Sequence, residues 1–241
     1  MDVPLKPYKR EFDHSYSLGV FPTLELVDAQ PRHVLGVLVS SKGERNEGLR
    51  KLERLCERAG ISLETNDRAV ERLAQKENTF AVGVFRKYAS ELQRASNHVV
   101  LVNPSDMGNL GTIARTMLGF GVLDLGIVRP AADMFDPKVV RASMGATFRL
   151  RCRYFDTFEQ YRETVGERSL YPFMTGGDLM LDGTSFTMPF TLIFGNESAG
   201  LPPEYGKLGT PVTIKHTRAI DSLNLPISVG IALYEATRSA V

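Results

Sequence analysis

The sequence predicts an α/β protein of two domains. Three observations carry that expectation. Short apolar runs of strand length alternate with stretches whose apolar residues recur at helical spacing, and the alternation restarts near residue 97. A polar stretch over residues 86–97 separates the two series as a linker or linking helix. At 241 residues the chain is long enough for one large domain or two small ones, each able to bury its own core.

The elements follow in order. Residues 1–17 are polar and contain prolines, and read as a flexible arm. Residues 33–39 are an apolar run of strand length. Residues 47–59 place Leu49, Leu52, Leu55 and Cys56 at helical spacing, and Gly60 follows as a C-cap. Strand (61–65), short helix (68–75) and strand (79–85) complete a small α/β layer. In the second series 99–102 is a strand, 110–118 a helix that starts at the Gly108-Asn109 turn, and 122–128 a strand. Asp136 and Pro137 open a helix over 137–144, as an N-cap followed by a first-turn proline. Residues 171–175, 190–194 and 212–214 supply three more strands. A last helix runs from 225 to 238, with Val229, Ala232, Leu233 and Ala236 as its apolar stripe and Ser222 or Asn224 as its cap. The expected domains are 1–95 and 96–241.

Composition excludes several classes. Hydrophobic content of 43% and charged content of 24% are ordinary for soluble globular proteins. A net charge of +1 gives no global signature of nucleic-acid binding, so a local patch must decide it. Cys56 and Cys152 lie far apart and outside any CxxC spacing, and read as reduced thiols of a cytoplasmic protein. His14, His33, His98 and His216 lack metal-ligand spacing, so no metal is expected. No apolar run approaches the ~20 residues of a membrane span, and Lys6, Lys9 and Arg10 are not followed by the apolar core of a secretory signal. The GxGxxG, GK[ST], HExxH and GxSxG motifs are absent, which disfavours a dehydrogenase, NTPase, zinc protease or serine hydrolase.

Three turns carry the chemistry. Each follows an apolar run and is rich in Gly or Asn: Asn109-x-Gly111-x-x-x-Arg115, then Phe194-Gly195-Asn196-Glu197 with Gly200-Leu201, then Ser222-Leu223-Asn224 before the last helix. Glycine there lets backbone approach a ligand, and helix N-termini offer unpaired N–H groups. Together with residues 138–146 (KVVRASMGA) and Tyr234-Glu235, they resemble the three motifs and intermotif segment of the SpoU/TrmH family of RNA ribose 2'-O-methyltransferases. Two departures are Leu225-Pro226-Ile227-Ser228, in place of small and β-branched residues, and Ser198-Ala199, bulkier than the usual Gly-containing pair.

The resemblance spans residues 97–241 and implies a SPOUT-type α/β domain with a deep trefoil knot, working as a homodimer whose site is shared between protomers. The first 95 residues resemble, by element order, the small α/β RNA-binding domain of family members, similar to certain large-subunit ribosomal proteins. The implied cofactor is S-adenosylmethionine, held around Thr175 and Gly176, Gly195, Asn196, Glu197 and Gly200, Ile214, and Leu223 and Asn224. The implied catalytic set is Asn109, Arg115, Glu197, Ser222 and Asn224. Each also reads blandly: Asn109, Ser222 and Asn224 as caps, Glu197 as a surface carboxylate.

A ribose 2'-hydroxyl is a poor acid, so the site must take its proton or stabilise the alkoxide. Histidine is missing from all three motifs. A guanidinium holds its proton, so Arg115 reads as a cation that holds the phosphate or polarises the hydroxyl. Lys138 and Arg141 sit one helical turn apart as RNA-backbone candidates or solvated charges. Arg45, Arg50, Lys51, Arg54 and Arg58 interleave with Glu44, Glu47, Glu53 and Glu57, which favours a solvated, paired face. The expected substrate is RNA, ribosomal ahead of transfer RNA. Base methylation and a non-catalytic RNA-binding or ribosome-assembly protein are the alternatives.

Overall fold

The computed structural model describes residues 3–43, 46–74, 79–177, 179–217 and 219–238. In chain order the elements begin with β1 (His14–Leu18), α1 (Val20–Ala29), β2 (Val34–Val39), α2 (Glu47–Ala59), β3 (Leu63–Thr65), α3 (Asp67–Ala74) and β4 (Ala81–Arg86). Next come β5 (His98–Val102), α4 (Met107–Gly119), β6 (Asp124–Val128), α5 (Pro137–Ala142), β7 (Arg151–Phe155) and α6 (Phe158–Val165). The last are β8 (Ser169–Pro172), β9 (Leu179–Met180), β10 (Phe190–Phe194), β11 (Val212–Thr213) and α7 (Leu225–Thr237). Among the described residues no helix is long and apolar enough to cross a membrane. Packing divides the chain into two units: residues up to Tyr88 together with Asp133–Arg149, and Ala89–Ala132 together with residues from Leu150 on.

The first unit is a four-stranded sheet in the order β1-β4-β2-β3. β4 runs antiparallel to both neighbours, and β3 is parallel to β2. α2 begins where the Asn46 side chain accepts from Gly48 N at 2.8 Å and ends at Gly60 in the left-handed region, φ 67°. In α5 the Asp136 carboxylate accepts from Lys138 N at 2.8 Å, with Pro137 in the first turn. Glu44 and Arg45, read with the α2 face, and Gln75, read as the end of the third helix, lie outside the described residues.

Two expectations are corrected here. The first concerns the flexible arm over 1–17, because residues 14–17 belong to β1, which is buried along its whole length. The run HSYSL looks polar, but each polar group finds a partner: Ser15 Oγ donates to Phe135 O, and Ser17 and Thr23 share a hydroxyl contact at 3.3 Å. Val3, Leu5 and Tyr8 pack against the same core cluster as Tyr16 and Leu18. The second concerns the segment 133–149, which the division at 95/96 grouped with the later residues. Val140 and Phe148 are fully buried with Leu26 and Phe85, and Gln30 Nε2 donates to Phe148 O at 2.9 Å. Residues 87–97 contain no helix.

The second unit is built on a fully parallel sheet in the order β7-β6-β5-β10-β8. Its inner strands β5, β6 and β10 are largely apolar and buried, as in sheets whose two faces are covered, whereas the edge strand β7 carries Arg151 and Arg153. At their amino ends lies a buried polar cluster. Asp124 accepts from Arg151 at 2.8 and 2.6 Å and from Gln93 N at 2.9 Å. His98 contacts Gln93 O through Nε2 at 2.8 Å and Arg168 Nη1 through Nδ1 at 2.9 Å. A carbonyl only accepts and a guanidinium only donates, so Nε2 carries the proton.

Burial, and next the Arg168 charge, push the His98 imidazole down to about 4. The unfolded chain takes up a proton near the ordinary value of 6.5 that the folded chain refuses. The stability from neutral His98 is therefore full above that value and falls as pH drops toward about 4. Denaturant unfolding should show about 2 kcal/mol less stability at about pH 5 than at about pH 7 from this group. His98→Asn should shrink that pH difference; an unchanged difference would assign it elsewhere.

Candidate active site

In an open parallel sheet, ligands collect at the carboxyl ends of the strands where strand order reverses. Here β5, β6 and β7 step outward on one side, while β10 and β8 lie on the other, so the reversal falls between β5 and β10. The turn after β5 holds Asn103 at φ 56°, in the left-handed region that Asn tolerates. α4 then opens on Asp106, whose carboxylate accepts from Asn109 N at 2.7 Å. The helix therefore begins before Gly108 and Asn109, which sit inside its first turn.

The turn after β10 folds back on itself. Asn196 N donates to Gly200 O at 3.2 Å and Gly200 N to Asn196 O at 2.9 Å. Asn196 Oδ1 accepts from Ser198 N at 2.9 Å and Ala199 N at 3.1 Å, and its Nδ2 donates to Asn103 O at 2.8 Å. One side chain thus shapes its own turn and ties it to the turn after β5.

Glu197 completes the tie. Its carboxylate accepts from Ser105 N at 3.2 Å, Ser105 Oγ at 2.9 Å, Asp106 N at 3.0 Å and Asn109 Nδ2 at 3.4 Å. It lies at the positive end of α4, where an anion is favoured. Burial raises its pKa, but the backbone N–H groups of Glu197, Asp106 and Ser105 and the Ser105 hydroxyl outweigh that and hold it below the ordinary glutamate value. Stability from such a carboxyl is full above its unfolded pKa and is lost as pH falls through the folded one. Glu197→Gln should cost about 1–2 kcal/mol and lower Tm by about 2–6 °C near neutral pH. The gap to wild type should close in acid, below the ordinary glutamate range; thermal melts across pH read both, and a gap that persists in acid removes the charge from the account.

Beside this tie is a cleft of about 340 Å³. Met174 and Thr175 line one part, Gly195 to Leu201 another, and Val212 to Ile214, His216 and Asp221 to Leu223 the rest, with Leu225 and Ser228 from α7. No lysine or arginine is among the described lining residues, in a chain with 29 of them. The ionisable lining groups are Glu197, His216 and Asp221. Among the described residues no group of three side chains could hold a metal ion.

Residues 96–234 match the family model described as the SpoU rRNA Methylase family. The chain belongs to the SpoU rRNA methylase family. It is 34% identical over 143 residues to an uncharacterized tRNA/rRNA methyltransferase of Synechocystis, covering 58% of this chain and 52% of that relative. It is 32% identical over 151 residues to the 23S rRNA (uridine(2479)-2'-O)-methyltransferase of Streptomyces viridochromogenes, covering 59% of this chain and 53% of that relative. The aligned region thus spans about half the length of these curated relatives. The crystal structure of the SpoU methyltransferase AviRb from Streptomyces viridochromogenes with the cofactor AdoMet superposes with a TM-score of 0.79 at 25% identity, covering 95% of this chain and 91% of that one.

In this SpoU member the cleft gathers Thr175, Gly195, Asn196, Glu197, Gly200, Ile214, Ser222 and Leu223 of the motif residues. Gly176, at φ 84°, and Asn224 flank it in sequence without lining it. Asn224 occupies the N-cap position of α7 but makes no side-chain cap; its carbonyl accepts from Ser228 N at 3.0 Å. Asn109 reaches the cleft only through Glu197, and Glu197 makes no hydrogen bond to Arg115. Arg115 is exposed on the α4 face that carries Gly108 and Thr112, with no hydrogen bond or ion pair among the described residues. Lys138, exposed, and Arg141, half-buried, are on α5 in the first unit.

The SpoU motifs did not reveal His216, Asp221 or Ser228. Ser228 was within reach, since it lies four residues after Asn224 on one helical face. His216 and Asp221 sit in a stretch without periodicity, and only the folded chain brings them to the wall.

Proposed function

We propose that this chain transfers a methyl group from S-adenosylmethionine to a ribose 2'-oxygen of structured RNA, with ribosomal RNA ahead of transfer RNA. The cleft, with no lysine or arginine among its described lining residues and set against the Glu197 tie, carries the reading. Its apolar walls and exposed loop backbone suit an adenosyl group, its volume falls in the range of small-molecule sites, and its carboxylates suit a cation rather than a phosphate. Bound S-adenosylmethionine supplies an electrophilic methyl on a positively charged sulfur.

The chain's own residues do the rest. Gly195 and Gly200 keep side chains away from the loop backbone that would contact the cofactor, with Thr175, Gly176, Ile214 and Leu223 adding to that wall. Ser222 and Asn224, whose side chain is not spent on capping α7, contact the target nucleotide. Asn109 is held by Glu197. Arg115 offers its uncommitted guanidinium to the substrate phosphate or to the oxygen as it loses its proton.

Further parts of the proposal are a trefoil knot in the second unit, a homodimer, a cytoplasmic setting, and an N-terminal RNA-holding domain related to large-subunit ribosomal proteins. In this reading Lys138 and Arg141, carried by the first unit, meet the RNA backbone. The dimer reading is supported by Ile227, Ile231 and Tyr234, exposed at 55%, 38% and 61% on one stripe of α7, with Phe120 against Tyr234 at 6.5 Å. The preference for ribosomal RNA follows the Streptomyces viridochromogenes relative's name.

The test is tritium transfer from labelled S-adenosylmethionine to unmethylated ribosomal RNA and, separately, to transfer RNA. Label in ribosomal RNA at an alkali-resistant linkage is the expected result. Label in transfer RNA alone overturns the substrate preference, and absence of cofactor binding by calorimetry overturns the methyl-transfer reading.

A further inference from the structure

Ser105 lies between β5 and α4 and belongs to none of the three motifs. Its side chain is exposed, yet it is committed: Oγ donates to Glu197 Oε2 at 2.9 Å and makes no other hydrogen bond among the described residues. Its backbone N–H donates to the same oxygen at 3.2 Å. Asn196 Nδ2, whose nearer acceptor is Asn103 O at 2.8 Å, reaches Oε2 at 3.3 Å. Fixing one carboxylate oxygen fixes the other. Oε1 accepts from Asp106 N at 3.0 Å and from Asn109 Nδ2 at 3.4 Å, the longest of the set and so the first lost if the carboxylate turns. Glu197, held below the ordinary glutamate pKa, can only accept near neutral pH, so the Asn109 amide turns its nitrogen to the carboxylate. Asn109 Oδ1 is left as an acceptor, with no hydrogen bond of its own among the described residues. A ribose hydroxyl can donate to that oxygen, and a phosphodiester cannot.

We propose that Ser105 is a positioning residue for methyl transfer: through Glu197 it holds the Asn109 amide with its oxygen free to take the hydrogen bond of the ribose 2'-hydroxyl. The inference rests on the methyl-transfer reading. In that step the 2'-oxygen bonds the methyl carbon, whose bond to sulfur breaks with the electron pair left on sulfur, and the hydroxyl proton goes to solvent. An amide oxygen is too weak a base to keep that proton, so Asn109 orients the hydroxyl rather than deprotonating it. Losing that orientation lowers the rate without disturbing the cleft, whose described walls include neither Ser105 nor Asn109.

The experiment pairs single-turnover transfer with two-dimensional amide NMR of the isotope-labelled full chain. Transfer is measured at saturating S-adenosylmethionine with unmethylated ribosomal RNA and, separately, transfer RNA. The Asn109 side-chain signals are identified by their absence in Asn109→Ala, which needs no activity. Ser105→Ala should slow transfer about tenfold, with cofactor affinity within about twofold and Tm within about 2 °C of wild type. Its Asn109 side-chain signals should move toward those of free asparagine and exchange faster with water. Ser105→Thr keeps the hydroxyl and should restore both the rate and the signals. A wild-type rate in Ser105→Ala overturns the inference, and so does a slow rate with unmoved Asn109 signals. A threonine variant no faster than the alanine one overturns it too. Absence of transfer from the wild-type chain to either RNA overturns the methyl-transfer reading itself, and this inference with it.

Discussion

Gly195→Ala is expected to lower Tm by about 5–10 °C and to weaken S-adenosylmethionine binding by at least about 100-fold. A Cβ built at Gly195 lies 2.1 Å from Gly200 C, 2.2 Å from Gly200 O and 2.3 Å from Leu201 N. All three are backbone atoms, so no rotamer change relieves the overlap, and the turn must open. Opening it breaks the paired Asn196 and Gly200 hydrogen bonds, then the Asn196 link to Asn103, then the Glu197 hold on α4. Gly119→Ala is the control. Gly119 ends α4 with nothing within 4 Å of an added Cβ, and alanine there should be neutral or stabilising by up to about 1 kcal/mol. Differential scanning fluorimetry and calorimetry on the two variants read the contrast; equal melting temperatures would show that the turn yields without strain.

Arg115→Ala should reduce methyl transfer by about 100- to 1,000-fold while leaving Tm and cofactor affinity close to wild type. The separation follows from placement. Arg115 is exposed, has no partner to lose among the described residues, and is not on the cleft wall. Its removal can only be felt where substrate arrives. Arg115→Lys keeps the charge but loses the planar fork, and should recover only about a tenth of the activity. Single-turnover transfer with saturating cofactor is the measurement. Full activity in the lysine variant would reduce the role to charge alone, and full activity in the alanine variant would remove Arg115 from the mechanism.

Legibility of the sequence tracks how local the cause is. α2 was readable to the residue because its apolar spacing and the Gly60 cap are both local to the helix. β10 was readable because a buried parallel strand is a largely apolar run, broken here only by Thr191. β1 was missed because its serines and His14 look exposed until the fold brings Phe135 to Ser15, Thr23 to Ser17 and the Tyr16 hydroxyl to His14. α1, β7 and α6 were left without assignment. For the site, motif residues that act through backbone were found, since glycine marks them. Glu197 was singled out but not understood: its partners are backbone N–H groups about ninety residues earlier, which no spacing encodes.

The segment Asp133–Arg149 has a consequence for how this protein is born. A ribosome releases β1 to β4 long before Val140 and Phe148 exist, yet those two side chains close the core around Leu26 and Phe85. Until residue 148 emerges, that apolar face stays wet, in a nascent chain that meanwhile has begun to make β5, α4 and β6. The early unit is thus an interrupted one, finished only after synthesis of its neighbour is under way. A polypeptide cut at Tyr88 should therefore behave as an unfinished fold that calls on chaperones rather than as an independent module.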